Sequence, residues 1–283
     1  MNILITGANG QLGNELRKTS NSYLNYRFFF TDVAELDITD PDAINGFFEK
    51  NSIQTVINCA AYTAVDKAES DEPTAMLINA TAVEYLANKA DVTLIHVSTD
   101  YVYDGCACKP YSEDFPTAPI SVYGRTKLAG EKAALKTPKS AIIRTSWLYS
   151  SFGANFVKTM LRLGKERETL NVVFDQVGTP TYAADLVLAI MEIVEADERN
   201  NFVPGIFNYS NEGVCSWYDF AREIMQQAGL KCTVLPIETK NYPTPATRPH
   251  FSVLNKARIK EAYNLKVPHW KDSLIRCLAE IER

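Results

Sequence analysis

Three features of the sequence predict an α/β fold, a doubly wound parallel sheet (Rossmann-like) with a smaller C-terminal α/β substrate-binding domain. Short apolar, β-branched runs alternate with longer amphipathic ones through residue 150, which is the pattern of repeated βαβ units. The runs are apolar along their whole length, as strands covered by helices on both faces must be. The first of them leads straight into a glycine-spaced turn that opens a helix.

Strands are expected over Asn2 to Thr6, Arg27 to Thr31, Thr55 to Asn58, Thr93 to Ser98 and Ser140 to Thr145. Helices are expected between them over Gln11 to Thr19, Pro41 to Lys50, Thr74 to Ala90 and Val122 to Leu135. Asp40-Pro41 supplies an N-cap followed by a first-turn proline. Beyond residue 150 the pattern predicts a helix from Asn155 to Glu166, a strand from Leu170 to Phe174 and a helix from Ala183 to Glu195. A polar surface turn over 197–201 precedes a strand from Gly205 to Tyr209, a helix from Ser216 to Gln227 and a strand from Cys232 to Pro236. Three prolines within 242–249 require an extended loop. Residues 1–150 are read as a dinucleotide-binding domain completed by about 168–197, and 198–283 mainly as a substrate-binding domain.

The chain has 283 residues, 46% of them hydrophobic and 22% charged, which excludes disorder and a disulfide-dense scaffold. With 29 Lys and Arg against 34 Asp and Glu, the net charge is -5 and no basic cluster marks a nucleic-acid partner. No apolar run is long enough to span a bilayer, so a cytoplasmic, non-membrane protein is expected. The six cysteines are scattered and read as free thiols of a reducing compartment. The three histidines are far apart, so a metal site and Ser-His-Asp chemistry find no support. His96 reads as a strand residue satisfied in the core.

Gly7-Ala8-Asn9-Gly10-Gln11-Leu12-Gly13 lets the backbone turn tightly against a dinucleotide pyrophosphate and presents a helix N-terminus to it. Asp32, about 20 residues farther on at the end of the second strand, is placed to accept the adenosine ribose hydroxyls. A carboxylate there repels a 2'-phosphate, so NADH should be accepted at least as well as NADPH.

Transfer of hydride to a ketone leaves negative charge on oxygen and calls for a proton donor. A Tyr four residues from a Lys on one helix face can serve. Two such pairs occur, Tyr85/Lys89 and Tyr123/Lys127. The first lies in a segment patterned for packing. The second opens the helix after the strand that ends in Ser98-Thr99-Asp100, and ligands in open α/β sheets sit at the carboxyl ends of strands.

In that order, the glycine turn, Asn58-Cys59-Ala60-Ala61, Ser98-Thr99-Asp100 and Tyr123-x-x-x-Lys127 resemble the extended short-chain dehydrogenase/reductases. The likeness narrows to the dTDP-4-dehydrorhamnose reductase branch. It does so through Ala61-Tyr62-Thr63-Ala64-Val65-Asp66-Lys67-Ala68-Glu69, Ser98 to Tyr103, Tyr123 to Glu131, Arg144-Thr145-Ser146-Trp147 and Thr247-Arg248-Pro249. The resemblance implies reduction of the C4 ketone of a dTDP-linked 4-dehydrorhamnose by NADPH or NADH. It implies Tyr123 as proton donor, Lys127 on the nicotinamide ribose and lowering the Tyr123 pKa, and Thr99 on the keto oxygen. Gly10, Gln11 and Leu12 would meet the pyrophosphate, Asp32, Asp37 and Ile38 the adenosine, and Ala60, Ala61 and Tyr62 the length of the cofactor. Thr99, Asp100 and Trp147 would face the sugar nucleotide, with Arg248 clamping its diphosphate. A homodimer is compatible with the resemblance. A non-catalytic regulatory subunit and an epimerase or dehydratase use the same scaffold, but a dehydratase pairs Asp with Glu where this chain has Asp100-Tyr101.

Overall fold

A computed structural model of the chain describes residues 1–89 and 91–281. Ala90, the expected end of one helix, and residues 282–283 lie outside the described residues. In the first half the order is β1 (Asn2–Thr6), α1 (Gln11–Thr19), β2 (Arg27–Phe30), α2 (Pro41–Asn51), β3 (Thr55–Asn58), α3 (Val65–Ala68), α4 (Glu72–Met76), α5 (Ala82–Ala87), β4 (Thr93–Thr99), α6 (Val122–Ala134) and β5 (Ser140–Thr145). The second half contributes β6 (Leu148–Tyr149), α7 (Phe156–Glu166), β7 (Thr169–Val173), β8 (Val177–Gly178), β9 (Thr181–Tyr182), α8 (Ala183–Glu198), β10 (Gly205–Tyr209), β11 (Cys215–Ser216), α9 (Trp217–Gln227), β12 (Thr233–Ile237), α10 (Ala257–Tyr263) and α11 (Trp270–Ile281).

Six parallel strands make the central sheet in the order β2-β1-β3-β4-β5-β10. The chain leaves β1 toward β2 on one side and resumes with β3 on the other, so the topological switch point lies between β1 and β3. Ile3, Ile5, Ile57, Ile95, Ile143 and Phe207 form one face of the sheet, buried with residues of α1, α8 and α10. Leu4, Val56, Leu94 and Ile142 form the other, buried with residues of α2, α5 and α6. A separate apolar cluster joins α7, α9 and α11 to the two-stranded β7-β12 sheet.

The sheet does not follow the boundary expected from the sequence. Strand β10, placed in the second domain, hydrogen-bonds to β5, whereas β7, expected to complete the first domain, pairs with β12. Burial explains both: Phe207, Asn208 and Tyr209 of β10 are enclosed, while Thr169 and Asn171 of β7 face solvent, as befits a half-covered pair. The helix expected over Thr74 to Ala90 begins at Glu72 and is interrupted by a π-helical turn over Leu77–Thr81. Asp197 and Glu198, expected in a turn, continue α8 to its cap at Arg199.

One buried ion pair fixes α6 to the sheet. Arg144 of β5 grips Glu131 of α6 with two parallel bonds, Nε to Oε1 at 2.9 Å and Nη2 to Oε2 at 2.7 Å, both side chains being at most 2% exposed. Ser98 of β4 donates to the same carboxylate, and Arg144 Nη1 donates to the Tyr103 hydroxyl at 2.8 Å. Arg144→Met leaves Glu131 buried without its cation and is expected to lower stability by about 3–5 kcal/mol in urea titrations. The double change Arg144→Met/Glu131→Leu should recover most of that loss.

Candidate active site

The carboxyl ends of β1, β3, β4 and β5 open into a cleft of about 900 Å³. Gly7, at the end of β1, has φ +62°, and a Cβ on it would lie 2.7 Å from the Ala60 backbone. A Cβ on Gly13 would lie 2.5 Å from Ala8 Cα, so only glycine lets α1 come this close to its own turn. Gly10 is the N-cap of α1 with no side chain on the first N–H groups, and Gly7, Gly10, Gln11, Leu12 and Gly13 all line the cleft. That is a cradle shaped for a dinucleotide pyrophosphate.

Asp32 lines the same end, where its carboxylate accepts the Asn9 N–H at 3.1 Å and the Val33 N–H at 2.9 Å. The acid therefore holds the phosphate-binding turn as well as facing the cleft. Asp37 and Ile38 lie beside it, and the Thr39 hydroxyl and N–H hold the Asp37 carboxyl below its usual range.

Ala60 and Ala61 form the wall after β3, but Tyr62 does not reach the cleft. It packs against the cluster of Ala68, Ala75 and Val122, and its hydroxyl donates to Asp71 at 3.1 Å. The fully buried Asn79 accepts the Tyr62 N–H at 2.8 Å and donates to the Tyr62 carbonyl and the Thr126 hydroxyl. Asn79 sits in the π-helical turn, and that local widening is what aims its amide at the loop. Sequence reasoning passed over it because an Asn within a helical run gives no signal of a tertiary partner.

Ser121 caps α6 by accepting the Gly124 N–H, which places Tyr123 in the first turn and Lys127 one turn on. Tyr123, Lys127 and Thr99 all line the cleft. Thr99 ends β4; its hydroxyl accepts the Tyr101 N–H at 3.2 Å and faces the Tyr123 phenol. Burial raises the Tyr123 pKa well above its ordinary value, with the Thr99 hydroxyl opposing. Lys127 Nζ donates to the Val97 carbonyl at 2.7 Å. Burial brings the Lys127 amine down to about 8. The competing pair lies elsewhere: Tyr85 packs against the α2/α5/α6 core, and Lys89 binds Asn45 at the surface.

Asp100 lines the cleft, is 3% exposed, and has an Oδ2 with no hydrogen-bond partner, so burial pushes its carboxyl up to about 6. Trp147 also lines it, from a left-handed backbone with φ +50°. Its indole stacks on Trp217 with centroids 3.7 Å apart and an interplanar angle of 12°. Gly178 makes room, since a Cβ there would approach Trp147 Cε2 to 2.8 Å. Trp217 gave no signal in the sequence beyond opening a helix. Arg248 lies beside Tyr101 of the cleft wall; its Nη2 pairs with Asp66 Oδ2 at 2.6 Å, and Asp66 also accepts the Ala246 N–H, so the guanidinium ties down the proline-rich loop. Among the described residues no group of acidic, His and Cys side chains is arranged to hold a metal, and no helix is long and apolar enough to cross a membrane.

The family model of the RmlD substrate binding domain matches residues 1–283. The chain is 40% identical to dTDP-4-dehydrorhamnose reductase of Aggregatibacter actinomycetemcomitans, covering 98% of this chain and 99% of that one. A crystal structure of a dTDP-4-dehydrorhamnose reductase from Clostridium acetobutylicum superposes with TM-score 0.94 at 44% identity over 100% of both chains. The dTDP-4-dehydrorhamnose reductase of Bacillus anthracis, solved in complex with NADP, gives TM-score 0.94 at 39% identity over 99% of both.

The stack beneath Trp147 is open to measurement. Trp217→Ala should abolish the near-ultraviolet circular dichroism that two coupled indoles produce, and Trp217→Phe should keep Trp147 supported by a smaller aromatic face. A spectrum unchanged by Trp217→Ala would show that the indoles do not stack in solution.

Proposed function

The chain belongs to the RmlD substrate binding domain family, and from that membership we propose that it reduces the C4 ketone of dTDP-4-dehydro-L-rhamnose to dTDP-L-rhamnose with NAD(P)H. The observation that carries the proposal is the meeting of Thr99, Tyr123 and Lys127 in the cleft that begins at the glycine turn. NAD(P)H supplies the hydride. Gly7, Gly10, Gln11, Leu12 and Gly13 bind its pyrophosphate, Asp32, Asp37 and Ile38 border its adenosine, and Ala60 and Ala61 flank the path to the nicotinamide.

The residues of this chain divide the remaining work. As hydride reaches C4, the Tyr123 phenol gives its proton to the oxygen, which becomes the hydroxyl of the product. A phenol held protonated by burial is in the right state to donate. The Thr99 hydroxyl holds the keto oxygen beside it. Lys127 presents its amino group to the ribose side. Asp100 and Trp147 face the sugar, the indole offering a flat apolar surface with one polar edge. The central sheet carries the cofactor, and the α7/α9/α11 cluster behind Trp147 and Trp217 supports the sugar-nucleotide side. The six cysteines are unpaired, in keeping with a cytoplasmic setting.

Tyr123→Phe keeps the ring and deletes the donor, so kcat should fall by about 10²- to 10⁴-fold with cofactor affinity retained. Tyr85→Phe should leave turnover near normal. The assignment fails if those two results exchange places in an assay following NADPH absorbance with dTDP-4-dehydrorhamnose.

Asp32→Ala should weaken NADH and leave NADPH unchanged or tighter, because the carboxylate accepts ribose hydroxyls and repels a 2'-phosphate. Equal weakening of both, measured as dissociation constants, would mean that Asp32 acts only through its bonds to Asn9 and Val33.

A further inference from the structure

The segment 150–155, between β6 and α7, is laid against α1, where Gln11 and Glu15 stand one turn apart on the same face. Ser150, fully buried, donates its hydroxyl to Glu15 Oε1 at 2.6 Å and accepts the Phe152 N–H at 3.0 Å. Gly153, at φ +65°, comes so close that a Cβ on it would lie 3.1 Å from Gln11 Cγ. Gly153 and Ala154 line the cleft together with the glycine turn. Asn155 closes the segment, and backbone groups dictate the direction of its hydrogen bonds. Its Oδ1 accepts the Lys158 N–H at 3.1 Å as the N-cap of α7, while its Nδ2 donates to the Ser150 carbonyl at 2.7 Å and the Phe152 carbonyl at 3.3 Å. A backbone N–H only donates and a carbonyl only accepts, so the two ends of the Asn155 side chain cannot exchange. The same Nδ2 donates to Gln11 Oε1 at 3.0 Å. Gln11, which lines the cleft as the first residue of α1, thus turns its carbonyl end to Asn155 and keeps its two Nε2 protons as the end it can offer to a ligand.

We propose that Asn155 is a positioning residue for the cofactor: it holds the Gln11 side chain with its donor end available to the dinucleotide pyrophosphate. The proposal rests on the pyrophosphate lying at the glycine turn. An untethered glutamine rotates about its last side-chain bond and presents amide and carbonyl alternately. A carbonyl turned toward a phosphate oxygen sets acceptor against acceptor, whereas an N–H bond to an anionic oxygen is among the stronger hydrogen bonds. Fixing the carboxamide removes the wrong orientation before the cofactor arrives and spares binding the cost of freezing that side chain. The anchor also joins the cofactor seat to the chain that leads on from Trp147, since β6 and the 150–155 segment follow that residue directly.

The test is a titration with NADPH followed by its fluorescence, which needs neither sugar nucleotide nor turnover and is thus independent of the Tyr123→Phe assay. Asn155→Ser keeps an N-cap for α7 but is too short to reach Gln11, and should raise the NADPH Kd about 3- to 10-fold. Gln11→Met, alike in length and helix preference, should raise it about 10- to 100-fold through loss of a bond to a charged group. In the double variant Asn155→Ser should add less than about 2-fold to the Gln11→Met value, because Asn155 acts through Gln11, whereas a role confined to the start of α7 would add its full factor again. Asn155→Asp keeps the cap and the shape but accepts where Asn155 donates. It turns the Gln11 carboxamide round and should weaken NADPH more than Asn155→Ser does. Wild-type affinity in either Asn155 variant, or an Asn155→Ser loss that persists in full beside Gln11→Met, would overturn the proposal. Unchanged affinity in Gln11→Met would overturn it as well, and with it the place of Gln11 at the pyrophosphate.

Discussion

The placement of the site depends on the buried, two-pronged pairing of Arg144 with Glu131. Ion pairs of this kind add little net stability, since desolvation of both charges offsets their attraction, but their geometry is strict. Here the strictness falls on α6. Glu131 lies one turn beyond Lys127 and two beyond Tyr123, so fixing its carboxylate against β4 and β5 fixes the rotation and depth of the helix that carries both cleft residues. The Ser98 hydroxyl bonds the same carboxylate from the residue before Thr99. The donor strand and the Tyr-bearing helix are thus locked to one another by a contact outside the chemistry.

Close approach is the second constraint, and glycine is its means. Gly7 and Gly13 bring β1, α1 and the β3 loop within a distance that no Cβ allows, and Gly130 does the same for α6 against the Asn79 backbone. The cleft is shaped by where side chains are missing. Opposite it, Trp147 shows the reverse strategy: a bulky residue is held in a left-handed backbone, which costs about 1–3 kcal/mol, and the strain is offset by the Trp217 stack and the space over Gly178.

Strands, most helices and the phosphate-binding turn were legible because each is written locally, in apolar runs, caps and glycine spacing. Asn155 and Ser216, for example, stand as N-caps one residue before the helices assigned to start with them. What escaped was tertiary. No periodicity tells that β10 would join β5, that Asn79 would leave a helix axis to hold Tyr62, or that Arg248 would find Asp66 182 residues away. Spacing gives the helix face of Lys127 but not the Val97 carbonyl on which its long side chain ends.

The two Tyr-x-x-x-Lys pairs show how far spacing reaches. Tyr123 and Lys127 both lie on α6, whereas α5 ends at Ala87, so Lys89 falls beyond the helix that carries Tyr85. Tyr85 packs on the apolar core and Lys89 lies over the Phe48 ring with its amine on Asn45, because α5 lies beside the body of the sheet, while α6 begins at the carboxyl ends of the strands, where the apolar rows give way to Thr6, Asn58, His96 and Thr99. Buried polar residues at strand ends must find partners, and here they find one another, Lys127 and the cleft. Reactivity follows from that change of surroundings: the same amine that would sit at its ordinary pKa in water is brought down to about 8 when enclosed there. A motif gains its chemistry from the point in the topology at which it is inserted.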